Sequence, residues 1–199
     1  MPTEIEAKFL RINPDELRAR LLAANAVCEH PMRLMRRDLF DHTDARYRKG
    51  QNAERLRIRD EADKVTMTYK KSSPASKYVA EIETTIGSYE AAKQLLTATG
   101  LHSFSYQESK RETWHLDDVE VVIDEWPWLK PYIEIEGPSE ESIQAAASKL
   151  GFNWSDAQFG SVDTAYRNQY PKMTKEDSIG DVPEVRFDLP VPDFLKERM

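Results

Sequence analysis

At 199 residues, 40% apolar and 32% charged, the chain is long enough to close one ordinary domain around a hydrophobic core, and two full domains are not expected. Its 28 Lys and Arg against 35 Asp and Glu leave a net charge of -7, which speaks against a broad electrostatic grip on nucleic acid or an anionic membrane. A single cysteine, Cys28, excludes an intrachain disulfide framework and a cysteine-based zinc site, and no run approaches the roughly 18 apolar residues of a membrane span. The opening residues show no basic stretch followed by an apolar one, so no secretory leader is read and the cytoplasm is the expected compartment.

In chain order, a tripeptide recurs three times, as Glu4-Ile5-Glu6, Glu81-Ile82-Glu83 and Glu134-Ile135-Glu136, each time ahead of a helical pattern. The first helix is announced by Asn13-Pro14-Asp15-Glu16, a cap followed by a first-turn proline and acids, with Leu17, Leu21 and Ala24 at helical spacing. The second opens at Gly87-Ser88, carries Ala92, Leu95 and Leu96, and stops at Gly100. The third opens at Pro138-Ser139-Glu140-Glu141 and runs through Ile143, Ala146 and Leu150 to Gly151. Period-2 segments lie between them, at about Arg33 to Asp41, Ala53 to Asp60, Lys64 to Lys70, Val79 to Ile86, Phe104 to Leu116, Val119 to Trp126 and Pro131 to Glu136. With the N-terminal segment this makes about eight strands. Residues 42–52 and 71–77 read as turns, the latter as a mobile one, and from Pro171 onward four prolines with no clear period read as an irregular tail. The expected organisation is therefore one domain over 1–170 and a tail over 171–199.

Residues two apart on a strand share a face. Glu4, Glu6 and Lys8 thus oppose Ile5, Ala7 and Phe9, and Arg55, Arg57 and Arg59 oppose Leu56 and Ile58. Likewise Thr66, Thr68 and Lys70 oppose Val65, Met67 and Tyr69, while the pairs Glu81/Glu83 and Glu134/Glu136 stand opposite apolar neighbours. A charged strand face is ordinarily just the solvated one. Here whole strands are acidic and another is all arginine, and like charges side by side repel unless an opposite charge lies between them. The apolar faces need cover, which the helices supply from outside, and about eight strands can close a narrow barrel. Acid clusters suit Mg2+ or Mn2+, arginine and lysine rows suit phosphate oxygens, and together they describe a metal-bound polyphosphate.

On these residues the sequence resembles the CYTH superfamily, or triphosphate tunnel metalloenzymes, which includes class IV adenylate cyclases, thiamine triphosphatases and inorganic triphosphatases. The stretch Glu4-Ile5-Glu6-Ala7-Lys8 is similar to the family's ExExK signature, and it is followed in order by Leu56-Arg57-Ile58-Arg59, Thr68-Tyr69-Lys70, Glu81-Ile82-Glu83, Arg111, Asp124 and Tyr132-Ile133-Glu134-Ile135-Glu136. The resemblance implies an α+β fold: an eight-stranded antiparallel β-barrel forming a triphosphate tunnel, with helices packed outside. It also implies that Glu4, Glu6, Asp124, Glu134 and Glu136 hold the metal and that Lys8, Arg57, Arg59, Lys70 and Arg111 grip the phosphates. Glu81 and Glu83 would orient the basic row or contribute to a second metal. Three positions often basic in the family are Val79, Ser109 and Thr164 here.

The expected activity is a Mg2+- or Mn2+-dependent phosphohydrolase acting on inorganic tripolyphosphate or a nucleoside or thiamine triphosphate. The catalytic set would be Glu4, Glu6, Lys8, Arg57, Arg59 and Glu136. A class IV adenylate cyclase and a non-catalytic polyphosphate- or nucleotide-binding module are the alternatives, and the oligomeric state, a homodimer included, is left open. His30, His42, His102 and His115 are dispersed and read as surface or packing residues, as does Tyr166; Cys28 reads as a small packed hydrophobe. Trp126 and Trp128 read as core or rim aromatics, and Arg36 and Arg37 as either mouth-lining or solvated.

Overall fold

The computed structural model describes residues 3–50 and 53–199. Among these residues, ten strands form one sheet: β1 (Thr3–Glu4), β2 (Glu6–Leu10), β3 (Val27–Asp41), β4 (Glu54–Asp60), β5 (Val65–Ser73), β6 (Ser76–Ile86), β7 (His102–Leu116), β8 (Val119–Glu125), β9 (Tyr132–Glu136) and β10 (Glu184–Val185). Six α-helices accompany them: α1 (Pro14–Ala23), α2 (Arg46–Lys49), α3 (Tyr89–Ala98), α4 (Glu140–Lys149), α5 (Asp163–Gln169) and α6 (Asp193–Lys196). The sheet order is β1-β6-β5-β4-β3-β7-β8-β9-β2, antiparallel throughout, with β10 added in parallel to β7.

This corrects the expected closed barrel of eight strands. The N-terminal strand is split: Thr3 and Glu4 pair with β6, Glu6 to Leu10 pair with β9, and Ile5 between them belongs to neither strand. No ladder joins β1 to β2 among the described residues, so hydrogen bonds do not close the sheet. Its two ends are nevertheless one residue apart in the chain, at Ile5, whose carbonyl accepts from the Gly137 amide at 3.1 Å. A Cβ at Gly137 would lie 2.8 Å from Val119 Cγ1, so any side chain there would force Val119 to shift.

The three expected long helices form where the capping residues place them. Asn13 accepts from the Asp15 and Glu16 amides, Ser88 from Ala91 and Ser139 from Ser142. Gly100 and Gly151, at φ +92° and +79°, end α3 and α4 in the left-handed conformation that favours glycine. Leu17 and Leu21 from α1 and Ile143, Ala146 and Ala147 from α4 bury against Ala7, Phe9, Val121, Ile123, Ile133 and Ile135, the apolar faces of β2, β8 and β9. Tyr89 and Ala92 of α3 cover Phe40 and Ile58. Leu95, expected on the same face, is exposed. Each large side chain so buried contributes roughly 1.5–3 kcal/mol.

Residues 71–77, expected as a turn, form a tight hairpin, with strands running to Ser73 and from Ser76. Residues 42–50 contain α2; Gln51 and Asn52, the end of that expected connection, lie outside the described residues. The stretch 171–199 contributes β10 and α6 and packs Met173, Ile179, Val185 and Leu195 around Trp126, Tyr132, Tyr166 and Tyr170. Asp163 fastens it, accepting from the Ile179 amide at 2.8 Å, from Ser178 Oγ at 2.9 Å and from Ser161 Oγ at 3.1 Å. Cys28 is exposed on β3, because the strand begins before the sheet is covered there.

Candidate functional site

The sheet face turned away from α1, α3 and α4 lines a cavity of about 1120 Å³, and all twelve expected site residues border it: Glu4, Glu6, Lys8, Arg57, Arg59, Lys70, Glu81, Glu83, Arg111, Asp124, Glu134 and Glu136. The expected parity holds on β2, β4, β8 and β9, whereas on β6 Ile82 also borders the cavity beside Glu81 and Glu83. The pairing does not follow the expectation of like-charged rows awaiting a ligand, because antiparallel register sets acids against bases across the strands. Lys8 Nζ, 1% exposed, sits between Glu6 at 2.5 Å and Glu134 at 3.1 Å. Lys70 bridges Glu4 at 2.5 Å and Glu81 at 2.7 Å. Arg57 reaches Glu83 at 3.5 Å and Thr68 Oγ1 at 3.1 Å. Arg111 donates to both oxygens of Asp124, at 2.7 and 2.6 Å, and to Glu134 at 2.8 Å.

The pairing leaves two unbalanced poles. At the acidic one, burial raises the carboxyls of Glu4 and Glu6. Glu136 is pushed up to about 8, by burial and then by the charges of Glu4, Glu6 and Glu120. Its neighbour Glu134 goes the other way: against burial, Lys8 and Arg111 hold it well below the usual carboxylate range. At the basic pole, burial and the adjacent Arg59 bring Arg57 down to about 10. Burial, then Arg57, Arg59 and Arg111, bring Arg37 well below the ordinary guanidinium range. Like charges in a poorly solvated space each disfavour their own ionised form.

The donor set of the acidic pole fits a hard divalent cation, which takes oxygen ligands and removes the mutual repulsion of Glu4, Glu6 and Glu136. Asp124, expected beside them, has both oxygens committed to Arg111.

Glu61 is a lining residue that the sequence reading missed, and residues left open there take defined places. Glu61 lies just after β4, in step with Arg57 and Arg59 but past the end of the strand, and folds back onto Arg59 at 2.5 Å, with Arg33 at 3.8 Å. Arg37 lines the cavity, whereas Arg36 points outward to Asp60 at 3.0 Å and over the Tyr89 ring. His115 is not isolated: it meets Glu29 at 2.8 Å and lies with Glu29 and Glu120 in a group of three possible metal ligands, all open to water to some degree. Tyr166 is a packing residue, fully buried with its hydroxyl donating to the Pro127 carbonyl at 2.6 Å. Trp126 borders the cavity, and Trp128 anchors the C-terminal stretch through the Leu189 carbonyl at 2.8 Å. Of the three positions without the family's basic residue, Val79 lines the cavity, Ser109 accepts from Arg37, and Thr164 donates to the Phe159 carbonyl at 3.1 Å.

A family model for the CYTH domain matches residues 2–165, most of the chain. The chain belongs to the CYTH domain family. Solved structures carry the same CYTH fold. An adenylate cyclase candidate from Vibrio parahaemolyticus superposes with a TM-score of 0.69 at 14% identity, over 82% of this chain and 97% of its own. A Pyrococcus horikoshii protein gives 0.63 at 19% identity, over 78% and 94%. HpAC1 from Hippeastrum, an adenylyl cyclase candidate described as having a dominant triphosphatase activity, gives 0.57 at 14% identity, over 86% and 98%. At these identities the likeness establishes the fold alone. No curated protein sequence matches the chain. Among the described residues, no helix of this CYTH protein is long and apolar enough to cross a membrane.

Proposed function

We propose that this CYTH protein is a divalent-metal-dependent phosphohydrolase that binds the triphosphate of a small molecule, such as inorganic tripolyphosphate or a nucleoside or thiamine triphosphate, in its charged cavity. The observation that carries the reading is that one cavity is lined by two groups of like charge, Glu4, Glu6 and Glu136 in one and Arg37, Arg57 and Arg59 in the other. A polyanion bound together with a cation relieves both at once, whereas a neutral ligand relieves neither. The sole cysteine, Cys28, is in keeping with action in the reducing cytoplasm.

In this reading Glu4, Glu6 and Glu136 hold Mg2+ or Mn2+. Glu134 and Asp124 join them only to the extent that Lys8 and Arg111 are drawn off toward phosphate. When bound, the metal neutralises phosphate oxygens and lowers the pKa of a coordinated water. Arg57, Arg59, Arg111, Lys8 and Lys70 take the phosphate oxygens and stabilise the charge that builds on the departing phosphate. Glu81 and Glu83 keep Lys70 and Arg57 extended toward the substrate. No side-chain nucleophile is required, because phosphoryl transfer to water depends on positioning and charge neutralisation.

The test incubates the protein with Mg2+ or Mn2+ and, separately, tripolyphosphate, ATP and thiamine triphosphate, and resolves the products. Orthophosphate release is the expected outcome. Cyclic AMP with pyrophosphate from ATP would replace hydrolysis by cyclisation, and binding without turnover of any of the three would leave a polyphosphate-binding module.

A further inference from the structure

Among the described residues three cations are buried, and one of them has no counter-ion. Lys8 and Arg59 each sit on a carboxylate at 2.5 Å, but Arg37 on β3, 7% exposed, meets none. Its Nη2 donates to the neutral Ser109 hydroxyl, and its Nε has no hydrogen-bond partner at all. Its guanidinium lies 4.5 Å from the centroid of the Trp126 ring. The charges that act on it are Arg57 and Arg59 from β4 and Arg111 from β7, with Asp124 of β8 as the opposing acid, and Asp124 is held at both oxygens by Arg111.

Burying a charge beside three of the same sign is costly unless an opposite charge arrives. The cost would vanish with an ordinary apolar or amide side chain, and Arg36 next door shows how a neighbouring arginine is satisfied when it faces out, by Asp60. Trp126 holds one face of the Arg37 guanidinium, which leaves its donor edge to the cavity that it lines. A guanidinium has five N–H donors in a planar fork suited to two oxygens of one phosphoryl group.

We propose that Arg37 is a phosphoryl-binding residue of this cavity, held in place by Trp126 and Ser109 and completed by anionic oxygens of the substrate. The assignment rests on the triphosphate reading above and extends it to a strand outside the expected basic row. It makes two demands that a packing role does not. Removing the charge must weaken anion binding, and it must not destabilise the ligand-free fold, since the charge is uncompensated there.

The experiment titrates inorganic tripolyphosphate calorimetrically in chelator, so that nothing turns over, into wild type, Arg37→Met and Arg37→Lys, and melts each protein without ligand. Met keeps the length and the contact with Trp126; Lys keeps the charge. The expected result is about 10–100-fold weaker binding for Arg37→Met, the range for a charge-assisted hydrogen bond, a partial recovery in Arg37→Lys, and a ligand-free melting temperature of Arg37→Met equal to or above that of wild type. Tripolyphosphate binding by Arg37→Met as tight as wild type overturns the assignment, and so does weaker binding with a ligand-free melting temperature lowered in both variants. Wild type that binds no tripolyphosphate overturns the triphosphate reading itself, an outcome distinct from a wild type that binds and a variant that binds equally.

Discussion

Asp163→Ala tests how far the C-terminal stretch belongs to the folded unit that shapes the cavity. Asp163 is 5% exposed and accepts three hydrogen bonds: the Ile179 amide on one oxygen, and the hydroxyls of Ser178 and Ser161 on the other. The hydroxyls can turn to water or to each other, but the Ile179 amide is on a residue 1% exposed and would be left without an acceptor. An orphaned buried amide costs roughly 1–3 kcal/mol, and losing two further bonds to a charged acceptor adds about 1 kcal/mol. The expected loss is therefore about 3 kcal/mol, a fall in melting temperature of roughly 6–12 °C for a chain of this size. Asp163→Asn keeps one oxygen for the amide and should lose only about 1 kcal/mol. Urea unfolding followed by tryptophan fluorescence suits the measurement, because Trp126 and Trp128 belong to the same cluster as Ile179. An alanine variant within about 0.5 kcal/mol of wild type, or alanine and asparagine variants that are equally affected, would refute the reasoning. Gly180 and Asp181 border the cavity directly after Ile179, so the alanine variant should also bind substrate less tightly.

Three further outcomes follow from the charged poles. Glu6→Gln and Glu136→Gln should each reduce metal-dependent turnover by about 100-fold or more while far-UV dichroism stays native, the size of effect seen when charge stabilisation at a reacting centre is removed; unchanged rates in both would remove the metal assignment. Arg57→Ala should raise KM for tripolyphosphate by about 10–100-fold, and steady-state kinetics that match wild type would take Arg57 out of the binding set. In metal-free protein the Glu136 carboxyl, raised from 4.5 to about 8, favours the fold fully below pH 4.5, and that contribution is lost as pH rises toward 8. Glu134, lowered in the fold, acts oppositely, its contribution being present above pH 4.5 and lost in acid. Urea midpoints in chelator should thus fall between pH 5 and 8, less steeply in Glu136→Gln; a wild-type midpoint that climbs across this window would contradict the acidic pole.

Much of the cavity was legible from period alone. Arg57 and Arg59, Glu4 and Glu6, and Glu134 and Glu136 alternate with apolar residues, so one strand suffices to say that each pair shares a face. Caps were equally local: Asn13, Ser88 and Ser139 act on amides two or three residues away. β3 resisted the same treatment, because its pairing with β7 shifts register between Cys28 and His30, between His30 and Arg33, and again between Leu39 and Phe40. Even between those shifts, from Arg33 to Leu39, both faces mix polar and apolar residues, with Arg33, Met35, Arg37 and Leu39 on one and Leu34, Arg36 and Asp38 on the other, so alternation alone does not tell Arg37 from Arg36. Glu61 escaped because it lies past the end of β4.

Alternation along single strands, with capping at helix ends, thus settled in one dimension which side chains turn toward a common interior and where the helices begin. Which acid meets which base was a matter of long-range register: Lys70 finds Glu4 sixty-six residues away, and Lys8 lies opposite Glu134 across the β2–β9 ladder. Ion pairing depends on distances of a few ångströms between strands far apart in the chain, and no local pattern encodes these. The split of the first strand, the anchoring of the C-terminal stretch and the isolation of Arg37 among three other cations all emerged only once the sheet had curled and brought its ends together.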